Sequence, residues 1–569
     1  MNAALDGAEG QDQLLQTARA WLAQDPDAET RAQLRAVIEG AEAGDGAASA
    51  DLADRFAGRL AFGTAGLRGE LGAGSNRMNR VLVAQAAAGL AAYVRERAGA
   101  ARTPTVVIGY DGRRNSDVFA QDSAELFAGA GLRAILLPRL LPTPVLAFAV
   151  RELDADAGVM VTASHNPPND NGYKVYLGGA DEGAQIVSPA DAEIAAHIQR
   201  IADAGDVAAL PRSLGYEIAP ESLVDAYIDA TAAVAPAPEG AEGLRWVYTA
   251  MHGVGWETLS RILDAAGYPP PVPVEQQLDP DGAFPTVAFP NPEEPGAMDL
   301  AFETARSTNA DLVIANDPDA DRLAVAVPDP HAAGGWRRLT GNQIGLLLGW
   351  RAARLAREGG AGPGASLACS LVSSPGLKAV ADHYGLDFHT TLTGFKWISR
   401  APGLVFGFEE ALGYLVNPET VRDKDGISAA VAMLGIVTEA RGRGESLARV
   451  LAEFDATFGF FASDQISIRV DDLSRIERIM AGLRERHPDS IGSVAVDRIE
   501  DLLEGVEDLP RGDVLRLWMA DGSRVIVRPS GTEPKLKIYL DVRGDSVDDA
   551  RARLTALTDG AHALLDEAG

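Results

Sequence analysis

A serine and a histidine stand side by side in a polar segment that could do chemistry. Ser164 and His165 belong to residues 162–168 (TASHNPP), which directly follow the apolar run 157–161. Open α/β sheets bind ligands at the carboxyl ends of strands, so we expect the Ser164 hydroxyl to be presented there. Adjacent side chains seldom point the same way, which leaves a hydrolytic Ser–His pair weakly supported. A Ser/Asn/Pro turn without chemistry stays an equal alternative.

Three aspartates at alternate positions form a second candidate site. Asp317, Asp319 and Asp321 follow the apolar run 312–315. Pro318 favours extended backbone before it, so the carboxylates can share one face. Three close anions need a cation, and oxygen-only ligands suit Mg²⁺. A solvated acidic turn is the alternative interpretation.

A third segment gathers groups that can hold a phosphate. Residues 528–535 (RPSGTEPK) supply the guanidinium of Arg528, the hydroxyls of Ser530 and Thr532, and a turn that Gly531 permits. Guanidinium groups and exposed backbone amides are common partners of phosphate oxygens. The alternative is a plain turn between strands.

Paired carboxylates form a fourth candidate site. Glu409 and Glu410 lie between glycines in residues 407–413 (GFEEALG), after the apolar run 404–406. A carboxylate accepts hydroxyl donors, which suits a sugar. Without context, an acidic first turn of a helix is the more common reason for such a pair.

Composition and charge limit the classes of partner. The chain has 569 residues, and 51 Lys+Arg against 81 Asp+Glu give a net charge of −30. The electrostatic field of this negative charge disfavours binding to nucleic acid and to acidic membranes, so an anionic ligand requires a local basic pocket. The single Cys369 excludes an internal disulfide, and the first residues lack the basic start and apolar core of a signal peptide. We expect a cytoplasmic location.

The elements around these segments predict a multidomain α/β chain. Apolar residues recur at helical spacing over residues 12–60, and strand and helix patterns alternate beyond them. Such alternation predicts parallel, helix-covered sheets. We predict an N-terminal helical extension, three α/β domains and a C-terminal α+β domain, with the bounds 1–50, 51–210, 211–330, 331–457 and 458–569.

The candidate segments together resemble the α-D-phosphohexomutase superfamily. The resemblance spans nearly the whole chain, from about residue 21, and rests on motifs in one order: 62–69 (FGTAGLRG), 162–168 running on to 170–176 (DNGYKVY), 317–322 (DPDADR), 407–414 (GFEEALGY) and 528–535. It is closest to the branch that includes phosphoglucomutases, phosphopentomutases and glucose-1,6-bisphosphate synthases. It implies a four-domain, heart-shaped enzyme with one motif of each domain facing a central cleft.

The resemblance also implies roles by motif match. The implied catalytic residues are Ser164, as the phosphorylated serine, with His165, Lys174 and Arg68. The implied Mg²⁺ ligands are Asp317, Asp319, Asp321 and the phosphate on Ser164. The implied substrate contacts are Arg322, Lys396, Glu409, Glu410, Arg422, Lys424, Arg528, Ser530, Gly531 and Thr532. The choice of general base stays open between Lys174 and His165.

The resemblance implies a phosphosugar mutase that interconverts glucose 1-phosphate and glucose 6-phosphate, with glucose 1,6-bisphosphate as intermediate and activator. Ala411 stands where many glucose-specific and dual-specificity members carry a serine, so phosphomannomutase and phosphopentomutase activities are alternatives. A phosphosugar phosphatase and a non-catalytic sugar-phosphate binding protein are rivals from other classes. We expect small-molecule substrates and a monomer or small homo-oligomer.

Overall fold

The computed structural model describes residues 2–64, 66–99, 102–470, 472–506, 509–530 and 535–568. The chain forms two compact units. The first comprises Met1–Arg337 with Asn417–Val431, and the second comprises Arg338–Val416 with Ala432–Gly569. In the part of the chain that the structure describes, no helix is both long enough and apolar enough to cross a membrane.

The first unit begins with the helices that the periodicity predicts. They are α1 (Asn2–Gln24), α2 (Ala28–Glu42) and α3 (Gly46–Arg55). Asp27 and Asp45 cap the second and third helices by accepting hydrogen bonds from backbone N–H groups of the first turn. Trp21, Leu34 and Leu52 are buried and join the core of the α/β domain that follows.

The first α/β group surrounds the sheet that carries Ser164. Its elements are β1 (Leu67–Glu70), α4 (Arg80–Ala98), β2 (Thr105–Tyr110), α5 (Ser116–Gly129), β3 (Arg133–Leu136), α6 (Thr143–Glu152), β4 (Ala157–Val161), β5 (Asp170–Leu177), β6 (Ala184–Gln185), α7 (Ala190–Ala204) and β7 (Glu217–Ile218). The sheet order is β1-β5-β4-β2-β3-β7, and β6 pairs with β5. All five residues of β4 are buried, as expected for a strand covered on both faces.

The second α/β group carries the three aspartates. Its elements are α8 (Glu221–Ala232), β8 (Trp246–Thr249), α9 (Gly255–Ala266), β9 (Val272–Pro273), α10 (Asp299–Thr308), β10 (Leu312–Asn316), β11 (Leu323–Pro328) and β12 (Trp336–Arg338). The sheet order is β12-β11-β10-β8-β9. The strand before the aspartates, β10, is buried along its whole length.

The third α/β group carries Glu409 and Glu410. Its elements are α11 (Gly341–Glu358), β13 (Ser366–Ser370), α12 (Gly376–Tyr384), β14 (Asp387–Thr391), α13 (Phe395–Ile398), β15 (Leu404–Glu409), β16 (Gly413–Leu415), α14 (Gly426–Gly442) and α15 (Leu447–Phe458). The sheet order is β14-β13-β15-β16. The division between the two units falls inside α14, after Val431.

The chain ends in an α+β group, as predicted. Its elements are β17 (Phe460–Arg469), α16 (Leu473–Glu485), β18 (Ser490–Ile491), β19 (Val494–Asp501), β20 (Leu515–Met519), β21 (Arg524–Pro529), β22 (Lys535–Gly544) and α17 (Val547–Ala568). The strands pair in the order β17-β22-β21-β20-β19-β18, all antiparallel. A hairpin joins β20 and β21, and Gly522 takes φ 83° in its turn.

The expectation of purely parallel sheets is wrong at the sheet edges. Within each α/β group the central strands are parallel, but β4–β5, β10–β11 and β15–β16 are antiparallel. The reason is loop length: a parallel return needs a crossover of about a dozen residues or more, and these loops are shorter. Each antiparallel return places a short loop at the carboxyl end of a buried strand.

Candidate active site

The candidate residues of the α/β groups occupy equivalent hairpin loops. We call residues 162–169, between β4 and β5, the serine loop; residues 317–322, between β10 and β11, the aspartate loop; and residues 409–412, at the β15–β16 turn, the glutamate loop. Ser164, Ala320 and Leu412 have φ values of 53°, 55° and 61° in these loops. A non-glycine residue in the left-handed region is uncommon and needs support from its surroundings.

The serine and aspartate loops meet inside the first unit. Ser164 is buried, and its Oγ donates a hydrogen bond of 2.9 Å to Asp317 Oδ2. The neighbouring ring atom His165 Nδ1 lies 3.3 Å from the same Oγ and 3.9 Å from Asp317 Oδ2. The structure therefore brings the predicted phosphorylated serine into contact with the predicted metal ligands.

Lysines from two segments balance the buried aspartates. Asp317, Asp319 and Asp321 have no exposed surface. Lys174 Nζ, on β5, lies 2.7 Å from Asp319 Oδ2 and 2.8 Å from Asp321 Oδ2. Lys424 Nζ lies 2.8 Å from Asp321 Oδ2. Burial makes each carboxylate depend on these cations, because an unpaired buried charge is strongly destabilising.

The surroundings shift the pKa values of the aspartates in opposite directions. Burial, and then the charges of Asp319 and Asp321, raise the pKa of Asp317 well above its ordinary value. Burial acts in the same direction on Asp319, but Lys174 and the Thr143 hydroxyl outweigh it and hold the pKa of Asp319 below its ordinary value. The aspartate loop therefore keeps negative charge despite its burial.

The aspartate loop fits a hard divalent cation. One oxygen from each of its three aspartates lies within 4.8 Å of the others. Among the described residues, Asp319 Oδ1 and Asp321 Oδ1 have no hydrogen-bond partner although both atoms are buried. Carboxylate oxygens are the donors that such cations prefer, so Asp317, Asp319 and Asp321 could hold one.

The predicted cations of the first unit lie around the same loops. Arg68, on β1, donates through Nη1 to Asn166 Oδ1 of the serine loop at 3.2 Å. Arg322 Nε lies 4.0 Å from Asp317 Oδ2 and 3.9 Å from Asp321 Oδ1. Burial lowers the pKa of His165, and the positive charges of Arg322 and Arg68 lower it further.

Lys424 reaches the aspartates on a segment that folds with the first unit. Asp423, immediately before it, accepts hydrogen bonds from Tyr176 Oη at 2.9 Å and from Gln185 Nε2 at 2.6 Å. Gly426 passes so close to the aspartate loop that a Cβ there would lie 2.2 Å from Arg322 O. Only glycine permits this approach.

The predicted Arg422 lies in the same segment. Its Nη2 pairs with Glu182 Oε2 at 2.8 Å. The structure therefore attaches Arg422 to the first α/β group of the first unit.

The glutamate loop of the second unit is held by hydroxyl groups. Glu410 Oε2 accepts hydrogen bonds from Ser370 Oγ at 3.1 Å and Ser373 Oγ at 2.9 Å. Ser373 Oγ also accepts from the backbone N–H of Glu410 at 3.1 Å. Both glutamates are half-buried. Glu410 thus fixes the loop on which Glu409 is displayed.

The remaining predicted residues of the second unit lie in two places. Lys396 belongs to α13, which packs on β15 through Phe395 and Ile398. Arg528 is half-buried on β21, opposite Lys537 of β22. The backbone N–H of Ser530 donates to Lys535 O at 2.8 Å. Gly531 and Thr532 lie outside the described residues.

The structure adds residues that the sequence analysis missed. Thr143, at the start of α6, donates through Oγ1 to Asp319 Oδ2 at 2.7 Å. Asp423 and Ser373 were missed because their role is to hold another side chain. Arg113 was missed although it follows β2 at the carboxyl end of the sheet, and that position was the available signal.

Family models match most of the chain. The phosphoglucomutase/phosphomannomutase models match as alpha/beta/alpha domain I at residues 59–204, domain II at 225–333, domain III at 340–457, and the C-terminal domain at 483–554.

Named relatives are similar over most of their own length. A Haemophilus influenzae protein named "Probable phosphomannomutase" is 54% identical, over 86% of this chain and 98% of its own. The Homo sapiens phosphopentomutase is 35% identical, over 86% and 85%. A Staphylococcus epidermidis phosphoglucomutase is 34% identical, over 86% and 92%.

A solved structure shares the fold. The phosphoglucomutase/phosphomannomutase family protein from Burkholderia thailandensis superposes with a TM-score of 0.69 at 20% identity, and the match covers 90% of this chain and 98% of that one.

Proposed function

The chain belongs to the phosphoglucomutase/phosphomannomutase family, and from this premise we propose that it interconverts α-D-glucose 1-phosphate and glucose 6-phosphate through a phosphorylated Ser164. The observation that carries the proposal is the 2.9 Å hydrogen bond from Ser164 Oγ to Asp317 in the cluster of three buried aspartates. Phosphoryl transfer depends mainly on positioning and on neutralising charge, and this arrangement provides for both.

The proposed half-reaction moves one phosphoryl group. The bond between phosphorus and Ser164 Oγ breaks as a bond forms to the free hydroxyl oxygen of the sugar monophosphate. The proton of the sugar hydroxyl goes to a base, and the serine oxygen takes up a proton to become the Ser164 hydroxyl again. Glucose 1,6-bisphosphate is the product of this half, and transfer of its other phosphate back to Ser164 completes the isomerisation.

The cation we propose at Asp317, Asp319 and Asp321 is Mg²⁺, which when bound supplies charge neutralisation to the transferring phosphoryl group. Arg68 and Arg322 place guanidinium groups beside the serine and aspartate loops, where they can stabilise phosphate oxygens.

The geometry favours His165 over Lys174 as the base. His165 Nδ1 lies 3.3 Å from Ser164 Oγ. Lys174 Nζ is engaged by two carboxylates, at 2.7 and 2.8 Å. When the bisphosphate returns a phosphate to Ser164, the base must lie within reach of the Ser164 hydroxyl proton, and the histidine meets this condition.

We propose that the second unit recognises the rest of the sugar phosphate. Glu409 and Glu410 offer carboxylates to sugar hydroxyls, and Arg528, Ser530, Gly531 and Thr532 would hold the non-transferring phosphate. We assign Lys396, Arg422 and Lys424 to the substrate as well. The cytoplasmic location, the oligomeric state and the five domain bounds stay predictions.

Mannose phosphate is the second candidate substrate. The 54% identical relative is named as a phosphomannomutase, and Ala411 lacks the hydroxyl that a serine would offer to a sugar. Pentose phosphate is a third, supported by the phosphopentomutase that is 35% identical.

A coupled assay tests the proposal and selects the sugar. Wild type and Ser164→Ala are compared on glucose 1-phosphate, mannose 1-phosphate and ribose 1-phosphate, with Mg²⁺ and a trace of glucose 1,6-bisphosphate. We expect glucose 1-phosphate to react fastest in wild type and no isomer to form in the variant. Faster turnover of another sugar would replace glucose, and release of inorganic phosphate without isomer would indicate a phosphatase.

A further inference from the structure

We propose that Arg113 is a positioning residue that fixes the backbone of the serine loop for phosphoryl transfer. The expected effect of Arg113 on kcat rests on the proposed function. Arg113 follows β2, and 1% of its side chain is exposed. In the described residues its guanidinium hydrogen bonds go to the serine loop and the start of β5, so we infer that it acts through the loop.

The Arg113 guanidinium donates to carbonyl oxygens along the serine loop. Nη2 donates to Ser164 O and Asn166 O, both at 2.6 Å. Nη1 donates to Pro167 O at 2.9 Å and to Asp170 O at 3.2 Å. These acceptors span the loop from Ser164 to the start of β5. A planar fork of donors can reach them together, whereas the compact ammonium of a lysine cannot.

The loop needs such support because of its backbone conformation. Ser164 has φ 53°, a left-handed conformation that a non-glycine residue keeps only when its surroundings impose it. Thr162 Oγ1 accepts a hydrogen bond from the Ser164 N–H at 2.8 Å, and Arg113 binds the Ser164 carbonyl. The peptide groups on both sides of the serine are therefore held, and the direction of Oγ follows.

Arg113 is itself held by contacts outside the serine loop. Its Cζ lies 4.9 Å from the centroid of the Phe284 ring, in a cation–π arrangement. Asp111 Oδ2 lies 3.6 Å from Arg113 Nε, and Asp111 Oδ1 accepts from the Arg113 N–H at 3.0 Å. A loop from the second α/β group, at Phe284, thus supports the serine loop of the first.

Loss of this support is expected to slow transfer and leave substrate binding intact. A displacement of about 1 Å at a reacting group can cost about 10²-fold in rate. The groups proposed to bind the sugar and the second phosphate lie on other segments. The effect therefore belongs to kcat, and KM should change little.

The test uses Arg113→Lys, with Arg80→Lys as the matched control. Arg80 is a partly buried arginine that pairs with Asp122 through two hydrogen bonds of 2.7 and 2.8 Å. We measure kcat and KM with saturating glucose 1,6-bisphosphate, and hydrogen exchange of peptides that cover residues 162–170. We expect kcat to fall about 10²-fold in R113K, KM to stay within about 3-fold, and exchange to accelerate in the serine loop only.

Phe284→Leu gives a second route if R113K does not fold. It removes the ring beneath the guanidinium and leaves Arg113 in place, and we expect a smaller loss of kcat, about 5-fold, with the same local rise in exchange. The proposal is overturned if the folded variants keep the wild-type kcat and the wild-type exchange rate in the serine loop. It is also overturned if kcat falls equally in R80K, or if hydrogen exchange rises throughout the first unit. Inactive wild type overturns the proposed function instead, and loop exchange still decides whether Arg113 holds the loop.

Discussion

The aspartate loop and the glutamate loop occupy the same position in their sheets but differ in burial and in the charge of the groups that hold them. Each follows a buried parallel strand and returns as an antiparallel hairpin. The three aspartates of the aspartate loop are buried, and Lys174 and Lys424 balance their charge. The glutamate loop is half-buried, and Glu410 is held by the neutral hydroxyls of Ser370 and Ser373.

The difference supports our proposal that one loop geometry serves two kinds of ligand. A buried cluster of anions is stable only with cations, and the same cluster suits a metal ion. A half-exposed carboxylate keeps its hydration and needs only hydrogen bonds to fix its direction, which suits neutral sugar hydroxyls. Removing charge should therefore have large effects in the first loop, and removing a hydroxyl should have small effects in the second.

The largest expected effect comes from the aspartate loop. Asp319→Asn removes one negative charge from the proposed cation site, and we expect kcat/KM to fall about 10³-fold. Asp329→Asn, at an aspartate that pairs with Arg337 at 3.1 Å beyond β11, is the control and should stay within about 2-fold of wild type. Steady-state kinetics on the preferred sugar phosphate measures both. A loss below about 10-fold in D319N would contradict the assignment of this loop to the cation.

The next effect concerns stability. Lys174→Met removes the ion-pair partner of Asp319 and leaves Asp321 with Lys424 alone. We expect the free energy of unfolding without metal to fall by about 3–5 kcal/mol. Added Mg²⁺ should restore part of it, since a ligand that binds the folded state stabilises it. Denaturant unfolding measures both quantities.

The control for this change is Lys378→Met. Lys378 pairs with Asp382 at 2.8 Å on the surface of α12, and its removal should cost about 0.5 kcal/mol or less. Equal losses in the two variants would show that the aspartate loop does not depend on Lys174.

A third effect follows from the segment that carries Lys424. Burial raises the pKa of Asp425 from 3.8 to about 6, against the hydrogen bonds that it accepts from Ser428 and Tyr227. The folded state therefore binds this proton more tightly than the unfolded chain. The free energy of unfolding therefore increases as pH falls through about 6, and the increase is complete below 3.8. Protonation of Asp425 contributes roughly 3 kcal/mol to this increase.

Asp425→Asn isolates this contribution. The variant should be more stable than wild type by the largest margin above pH 6, and the margin should shrink on acidification. Urea unfolding of both proteins across this pH range checks the prediction. A margin that does not change with pH would show that Asp425 keeps an ordinary pKa.

The smallest effect belongs to the glutamate loop. Ser373→Ala removes a hydroxyl that donates to the Glu410 carboxylate. We expect KM to rise about 5-fold while kcat changes little, because Ser370 still donates to this carboxylate and the net loss is about 1 kcal/mol. Ser366→Ala, which removes a hydroxyl that donates to Pro402 O at 2.6 Å, should leave KM unchanged. A loss in S373A as large as that in D319N would remove the contrast between the two loops.

The sequence predicts where Ser164 and the three aspartates lie in the fold. Ser164 and the aspartates follow continuous apolar runs that become β4 and β10, and this order places them at strand ends. The contact between Lys174 and Asp319 joins residues 145 positions apart, and no local pattern indicates it. Lys174 was found only because its motif resembles that of a known family.

Residues that hold other residues in place could not be predicted from the sequence. Arg113 and Ser373 act through backbone carbonyls or through another side chain, and such contacts depend on tertiary packing. The antiparallel sheet edges were missed for a related reason, since helix–strand alternation reports only on the parallel core. Loop length carried the missing information, because the returns after β4, β10 and β15 are short.

The most direct test follows a labelled phosphate through Ser164. The protein is incubated with Mg²⁺ and glucose 1,6-bisphosphate whose phosphates carry heavy oxygen. The label is mapped by peptide mass spectrometry, and unlabelled sugar monophosphate is then added. We predict that the label resides on Ser164 and leaves it as sugar phosphate. Label on another residue, or its release as inorganic phosphate, would contradict a phosphoserine relay.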